Sequence, residues 1–288
     1  FPVRLRLSSP LAFSGLIYPA TAWIILAIAH LSGARKTLQV VRALPIQAKS
    51  FLSANNLRPQ WFDAFNLCVL TILLFCALTL AHTPPTRTDT LVYHLAIPKA
   101  YLENNGFVNL PNNIYSFFPL QMEMLFLFCL ALKGEILAQL AGLGLLVLLL
   151  LAMALYYRRN ISMQFTALVP VLFFSTPTFF EGSITAYVDV AVAGFMFFAY
   201  YSWDRMRADK AWVFPLAVFA GAAAGTKLTA GIVLPIAIIG ILLQKQNFRE
   251  SLKPALIVIA SVLLFLLPWW TKNYNYSGNP FVPLLMQI

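Results

Sequence analysis

Ten carboxylates are scattered through 288 predominantly apolar residues, and their positions decide what chemistry this chain could do. Asp89, in TPPTRTDTLVYHL, stands at an N-cap position before a short amphipathic stretch, Thr90–Ile97. A carboxylate at a helix N-terminus stays ionised and can take a proton from a hydroxyl. Aspartate is equally a common cap, so both roles fit this spacing. Asp189, in TPTFFEGSITAYVDVAVAGF, lies at the mouth of an apolar run. An acid there needs a cation, a donor or a substrate, and a structural ion pair would also meet the need. Glu181, in the preceding turn, reads as a solvated acid. Lys227, in AGAAAGTKLTAG, follows a run of small residues that lets helices approach closely. Its ammonium can hold a lipid phosphate or simply snorkel to the interface. His94 has either an acid–base or a structural role, and Glu123 faces either a loop or a cavity. Cys68, Cys76 and Cys129 all lie in apolar segments, so neither a disulfide framework nor a metal cage is expected.

The elements that must position these residues are membrane helices. The chain is 60% hydrophobic and 10% charged, with a mean hydropathy of +0.77. An average soluble domain is about 25% charged. Uncharged stretches such as Ile136–Tyr157 and Pro254–Trp270 match the length needed to cross ~30 Å of hydrocarbon at ~1.5 Å per residue. With no water in the bilayer to satisfy backbone groups, such stretches must be helical, and the alternation of a barrel is absent. The +10 net charge does not point to nucleic acid, because the positive residues sit in short loops between spans.

Expected spans are Leu11–Leu31, Trp61–Ala81, Ile136–Tyr157, Met163–Phe180, Ile184–Trp203, a hairpin of two over Trp212–Leu243 turning near Thr226–Lys227, and Pro254–Trp270. The fold class is therefore all-α, a polytopic membrane protein of about eight spans in a single domain. The positive-inside rule assigns Ser32–Gln60, Arg158–Asn160, Asp204–Lys210 and Gln244–Lys253 to the cytoplasm. All can share that side only if the short apolar run Phe118–Leu132 is re-entrant or interfacial. Residues 82–135 then form one outer segment. Asp89, Glu103, Glu123, Glu135, Glu181 and Asp189 all fall at that outer face. Within it, Pro98 suits the first turn of a second short helix and Asn105-Gly106 its end. Leu91, Leu95 and Leu102 are expected to dip into lipid. Trp269, Trp270, Tyr274 and Tyr276 read as an aromatic belt. The chain opens at Phe1 rather than Met and closes on an apolar run, as a piece of a longer protein would.

Taken in order, DTLVYHLAIPKAYLENNGF with NIYSFFPLQMEMLF, then STPTFF and AYVDVAVAGF, then GAAAGTKLTAGIVLP, then PWWTKNYNYSGNPFVP resemble the C-type glycosyltransferases. These are multispan enzymes that use polyprenyl-phosphate sugars, such as the protein mannosyltransferases and lipid A aminoarabinose transferases. The likeness is greatest to bacterial members of the Rgt-like branch. The resemblance implies that Asp89 is the catalytic base and that Asp189 belongs to a second acidic motif. Many members carry a second acid directly after the first, where this chain has Thr90. Members also usually continue into further spans and often into a soluble outer domain.

The function expected from this resemblance is transfer of a sugar from a polyprenyl-phosphate donor to a lipid, glycan or protein acceptor at the outer face of the cytoplasmic (inner) membrane. Asp89 would take the acceptor proton. Lys227, helped by Arg87 or Lys99, would stabilise the departing phosphate, with His94 and Glu123 as further substrate-binding candidates. Asp189 would orient the acceptor, or hold a divalent cation if one is used. A transporter or flippase of a lipid-linked sugar predicts structural repeats meeting at the midplane, which the chain lacks. A non-catalytic membrane subunit is the remaining alternative.

Overall fold

The computed structural model describes residues 18–24, 61–161, 166–244 and 248–284. Most of the expected span Leu11–Leu31 and the basic loop Ser32–Gln60 therefore lie outside the described residues. In chain order the helices are α1 (Trp61–Ala81), α2 (Ala96–Glu103), α3 (Gln121–Leu132), α4 (Glu135–Asn160), α5 (Leu168–Phe174), α6 (Pro177–Ile184), α7 (Asp189–Arg205), α8 (Val213–Thr226), α9 (Val233–Gln244) and α10 (Phe248–Ser277). A π-helical turn, Thr90–His94, precedes α2, and short 3₁₀ turns join several of the others. Among the described residues there is no strand.

Among the described residues three helices, α1, α4 and α10, are long and apolar enough to cross a membrane, and a fourth crossing results if α6 and α7 count as one span bent by 113°. The expectation of about eight spans is not supported. Much of the difference has a local cause. Met163–Phe180 is not one helix: the chain breaks at Ser175–Thr176, where Thr176 is extended and Pro177 opens α6. Proline disfavours a helical residue before it and offers no N–H to continue the ladder. Trp212–Leu243 does divide at Lys227, which is extended, into the short helices α8 and α9. The last expected span, Pro254–Trp270, is longer than expected. Helix α10 runs through both Pro254 and Pro268, which membrane helices tolerate when neighbours satisfy the freed carbonyls.

Lipid is the solvent for the outer faces of these helices. Only 17% of the apolar stretch of α1 and 17% of that of α10 is buried, against 39% for α4. Phe65, Ile72, Phe75, Leu256 and Leu264 all point outward. A continuous apolar surface of this kind would aggregate in water but is the stable face in hydrocarbon. Inside, α8 is packed between α7 and α10. A Cβ on Gly221 would sit 2.5 Å from Phe265 Cδ2, so only glycine admits that ring. Ser261 on α10 closes the same contact by donating to the Ala217 carbonyl at 2.8 Å.

Contacts between helix ends sort the molecule into two poles. At one pole Gln139, early in α4, donates to the Ala81 and Thr83 carbonyls at the end of α1, and Lys227 at the end of α8 meets Asp189 at the start of α7. At the other, Tyr156 meets Tyr200 and Gln244 donates to the Trp203 carbonyl. Arg158, Arg159, Arg205 and Lys210 belong by sequence to that second pole. The first pole holds the candidate site.

Candidate functional site

The segment leaving α1 through Pro84-Pro85 reaches Asp89 and winds at once into the π-turn. The Leu95 N–H bonds the Thr90 carbonyl at 2.9 Å, the five-residue spacing that defines such a turn. Asp89 occupies the position before the turn in a helical conformation, and its side chain makes no capping hydrogen bond. The capping role is therefore not the one it plays. Its exposed carboxylate accepts a hydrogen bond from the Tyr93 hydroxyl at 3.3 Å. Burial, then the charge of Asp89 and the hydrogen bond to it, with Glu123 and Asp189 contributing further negative field, push the Tyr93 phenol well above its ordinary range. Tyr93 thus remains a donor to Asp89. Leu91 is exposed as expected, but Leu95 is not a lipid anchor: it is 3% exposed and packs with Met122, Phe126, Ala186 and Val188. Helix α2 then carries Pro98 in its first turn and ends at Glu103, and Asn105 just beyond it takes a φ of 53°, one that asparagine tolerates.

The other predicted residues gather around this turn in pairs. Lys227 Nζ donates to Asp189 Oδ1 at 2.7 Å, with side chains 41% and 35% exposed. Lys227 is thus engaged by an acid, and does more than snorkel. Arg87 pairs with Glu181 at 2.9 Å, so Glu181 ties α6 to the outer segment and is not a free turn acid. Lys99 approaches Glu135 at 3.9 Å. Tyr187 lies in the combined field of Asp89, Glu181, Asp189 and Arg87, and Tyr93 in that of Asp89 and Asp189. Two acids far apart in sequence therefore share one neighbourhood. His94 and Glu123 form a separate, buried pair: Nδ1 to Oε1 is 2.8 Å, with side chains 4% and 2% exposed. A divalent cation does not fit this arrangement. Among the described residues no three His, Cys, Asp or Glu side chains converge, and Asp189 already faces an ammonium. Cys68 and Cys76 are exposed, Cys129 is buried, and all are free thiols.

The sequence reading missed how the end of α10 holds the outer segment. Lys272, 1% exposed, donates to the Ser116 carbonyl and lies 5.4 Å from the centroid of the Trp269 ring. Asn273 donates to the Phe117 carbonyl at 2.8 Å and Tyr276 to the Phe107 carbonyl at 2.8 Å. The clamped loop in turn reaches the π-turn, through Asn113 Nδ2 to the Val92 carbonyl at 2.8 Å. Trp269 is not part of an aromatic belt; it is 3% exposed and packs on Ile97, Tyr101 and Leu120. The available signal was the polar set Lys272, Asn273 and Tyr276 directly after two tryptophans, since polar groups at a span's end need partners. Tyr115 was also missed: it stacks, with ring centroids 4.2 Å apart, on Tyr93, the donor to Asp89.

The helix α3, Gln121–Leu132, spans only ~18 Å at ~1.5 Å per residue and sits between α2 and α4. Its N-terminal turn brings Glu123 beneath the site. A family model described as a domain of unknown function matches residues 17–287. No curated protein matches the chain. No solved structure matches it either.

Proposed function

The chain belongs to the DUF8201 family, a domain of unknown function, and we propose that it is a membrane glycosyltransferase. It would move a sugar from a polyprenyl phosphate to an acceptor at the extracytoplasmic face of a cell's inner membrane. The observation that carries this reading is the state of Asp89. It is an exposed carboxylate that caps nothing and accepts from a phenol that stays protonated, and that phenol also feels the charge of Asp189, the partner of Lys227. That grouping suits an alkyl-phosphate displacement. The acceptor hydroxyl oxygen attacks the anomeric carbon and its proton passes to Asp89. The bond from the anomeric carbon to the phosphate oxygen breaks, and the lipid phosphate leaves carrying the electron pair.

Positive charge for that phosphate comes from Lys227, with Arg87 and Lys99 at the same pole. Asp189 holds Lys227 in place and offers an acceptor for a sugar hydroxyl. The short apolar helices α8 and α9 are embedded alongside α10 in this reading, so that a lipid tail can lie against them while its phosphate reaches Lys227. The test is to incubate the purified full chain in detergent with labelled polyprenyl-phosphate hexoses and pentoses and membrane-extract acceptors. Transfer of label that depends on Asp89 is expected. Donor binding without any transfer would instead favour a carrier or a non-catalytic subunit.

A further inference from the structure

We infer that Glu123, acting through His94, is a positioning residue for Asp89, an assignment that rests on the transferase reading. Asp89 directly precedes the π-turn that carries both Tyr93 and His94. Tyr93 bonds Asp89 at 3.3 Å, and its ring lies 4.0 Å from that of His94. His94 bonds Glu123 at 2.8 Å. The direction of the imidazole thus sets where the phenol stands, and the phenol sets the carboxylate. A carboxylate partner fixes the proton on Nδ1, so the ring has one orientation rather than two. A π-turn is rare and persists where side chains hold it. Here the holders are Glu123 on one side and Asn113, bonded to the Val92 carbonyl, on the other.

Stability is a poor explanation for this pair. Two ionisable groups buried in a membrane protein are costly to desolvate, and apolar residues of similar size commonly serve as well. Among the described residues Glu123 Oε2 has no hydrogen-bond partner, which adds to the cost. Lys272 contributes only a longer-range field at Glu123. What the pair supplies is direction. Glu123, 2% exposed, touches no substrate in this arrangement; it acts on Asp89 through the turn.

The experiment compares Glu123→Gln, Glu123→Leu and the double variant Glu123→Leu/His94→Leu in the full chain. Glutamine still accepts from Nδ1, so Glu123→Gln should lose transfer only a few-fold. The double variant should be as heat-stable as the wild type, yet lose on the order of 100-fold in kcat with KM unchanged, the scale of a misplacement near 1 Å. Combined with Asp89→Asn it should be no slower than Asp89→Asn alone, because both changes remove the same function. A stable double variant with full transfer would overturn the assignment, as would Glu123→Gln losing as much as Asp89→Asn. If the wild type transfers no sugar, the transferase reading fails separately. Amide exchange at Leu95 then decides: it should be faster in the double variant, and unchanged protection would sink the proposal.

Discussion

Replacing Asp89 by asparagine separates chemistry from structure, because the structure leaves this carboxylate almost nothing structural to do. It makes no capping bond, and its side-chain contact is a 3.3 Å hydrogen bond from Tyr93 at an exposed position. Asparagine Oδ1 can accept the same bond. The stability change should therefore stay within about 0.5 kcal/mol, as for surface substitutions that break no special feature. General-base assistance is typically worth about 10²–10⁴ in rate. At about 1.36 kcal/mol per tenfold, that is roughly 3–5 kcal/mol of transition-state stabilisation. The two effects differ enough to be read apart. Purified wild type and Asp89→Asn would be compared by thermal unfolding in detergent and by initial rates of label transfer from a polyprenyl-phosphate sugar. The expected result is matching unfolding curves with transfer reduced at least about 100-fold. Wild-type transfer by the asparagine variant would refute the assignment. So would a loss of activity that merely tracks a loss of folded protein.

Lys227→Met should leave the fold intact, since a pair whose side chains are 41% and 35% exposed contributes under about 1 kcal/mol. It should raise the KM for the donor by about tenfold or more, the worth of one charge-assisted bond to phosphate; an unchanged KM removes Lys227 from phosphate binding. Gly221→Val should destabilise by about 1–3 kcal/mol through collision with Phe265, measured as a lower unfolding temperature. An unaltered midpoint would mean that α8 and α10 are not in close contact. Cysteines introduced at Thr88 and Asn112 should react with an impermeant thiol reagent on intact cells, whereas one at Arg159, at the opposite pole, should react only after permeabilisation. The reverse pattern would invert the membrane orientation.

Local composition and period account for the part of the fold that is legible in the amino-acid order. Apolar runs free of charge demanded membrane helices, and α1, α4 and α10 run where those runs lie. The break at Lys227 and the stop just before Asn105 were legible because the signals are short-range: a charged residue after a small-residue run, and an Asn-Gly pair after an amphipathic one. The break at Thr176 was not foreseen, although Pro177 signals it, because an apolar run reads as one span until the backbone partners are counted. Leu95 was misread for a related reason. Spacing of four residues places Leu91 and Leu95 on one face of an α-helix, but the wider π-turn rotates less per residue, so Leu95 falls short of that face and goes inward.

Which charge meets which is set by the packing of the helices. Lys227 finds Asp189 across 38 residues, and Arg87 finds Glu181 across 94. Lys272 finds the Ser116 carbonyl across 156. No periodicity encodes such pairs, because a polar group in an apolar protein is satisfied by whatever the helix packing brings within reach. That packing depends on contacts such as Phe265 against Gly221, which no local pattern specifies. The same holds for Asp89: its position before a helix was readable from the sequence, but whether its carboxylate met a backbone N–H or the Tyr93 hydroxyl depended on how the turn wound.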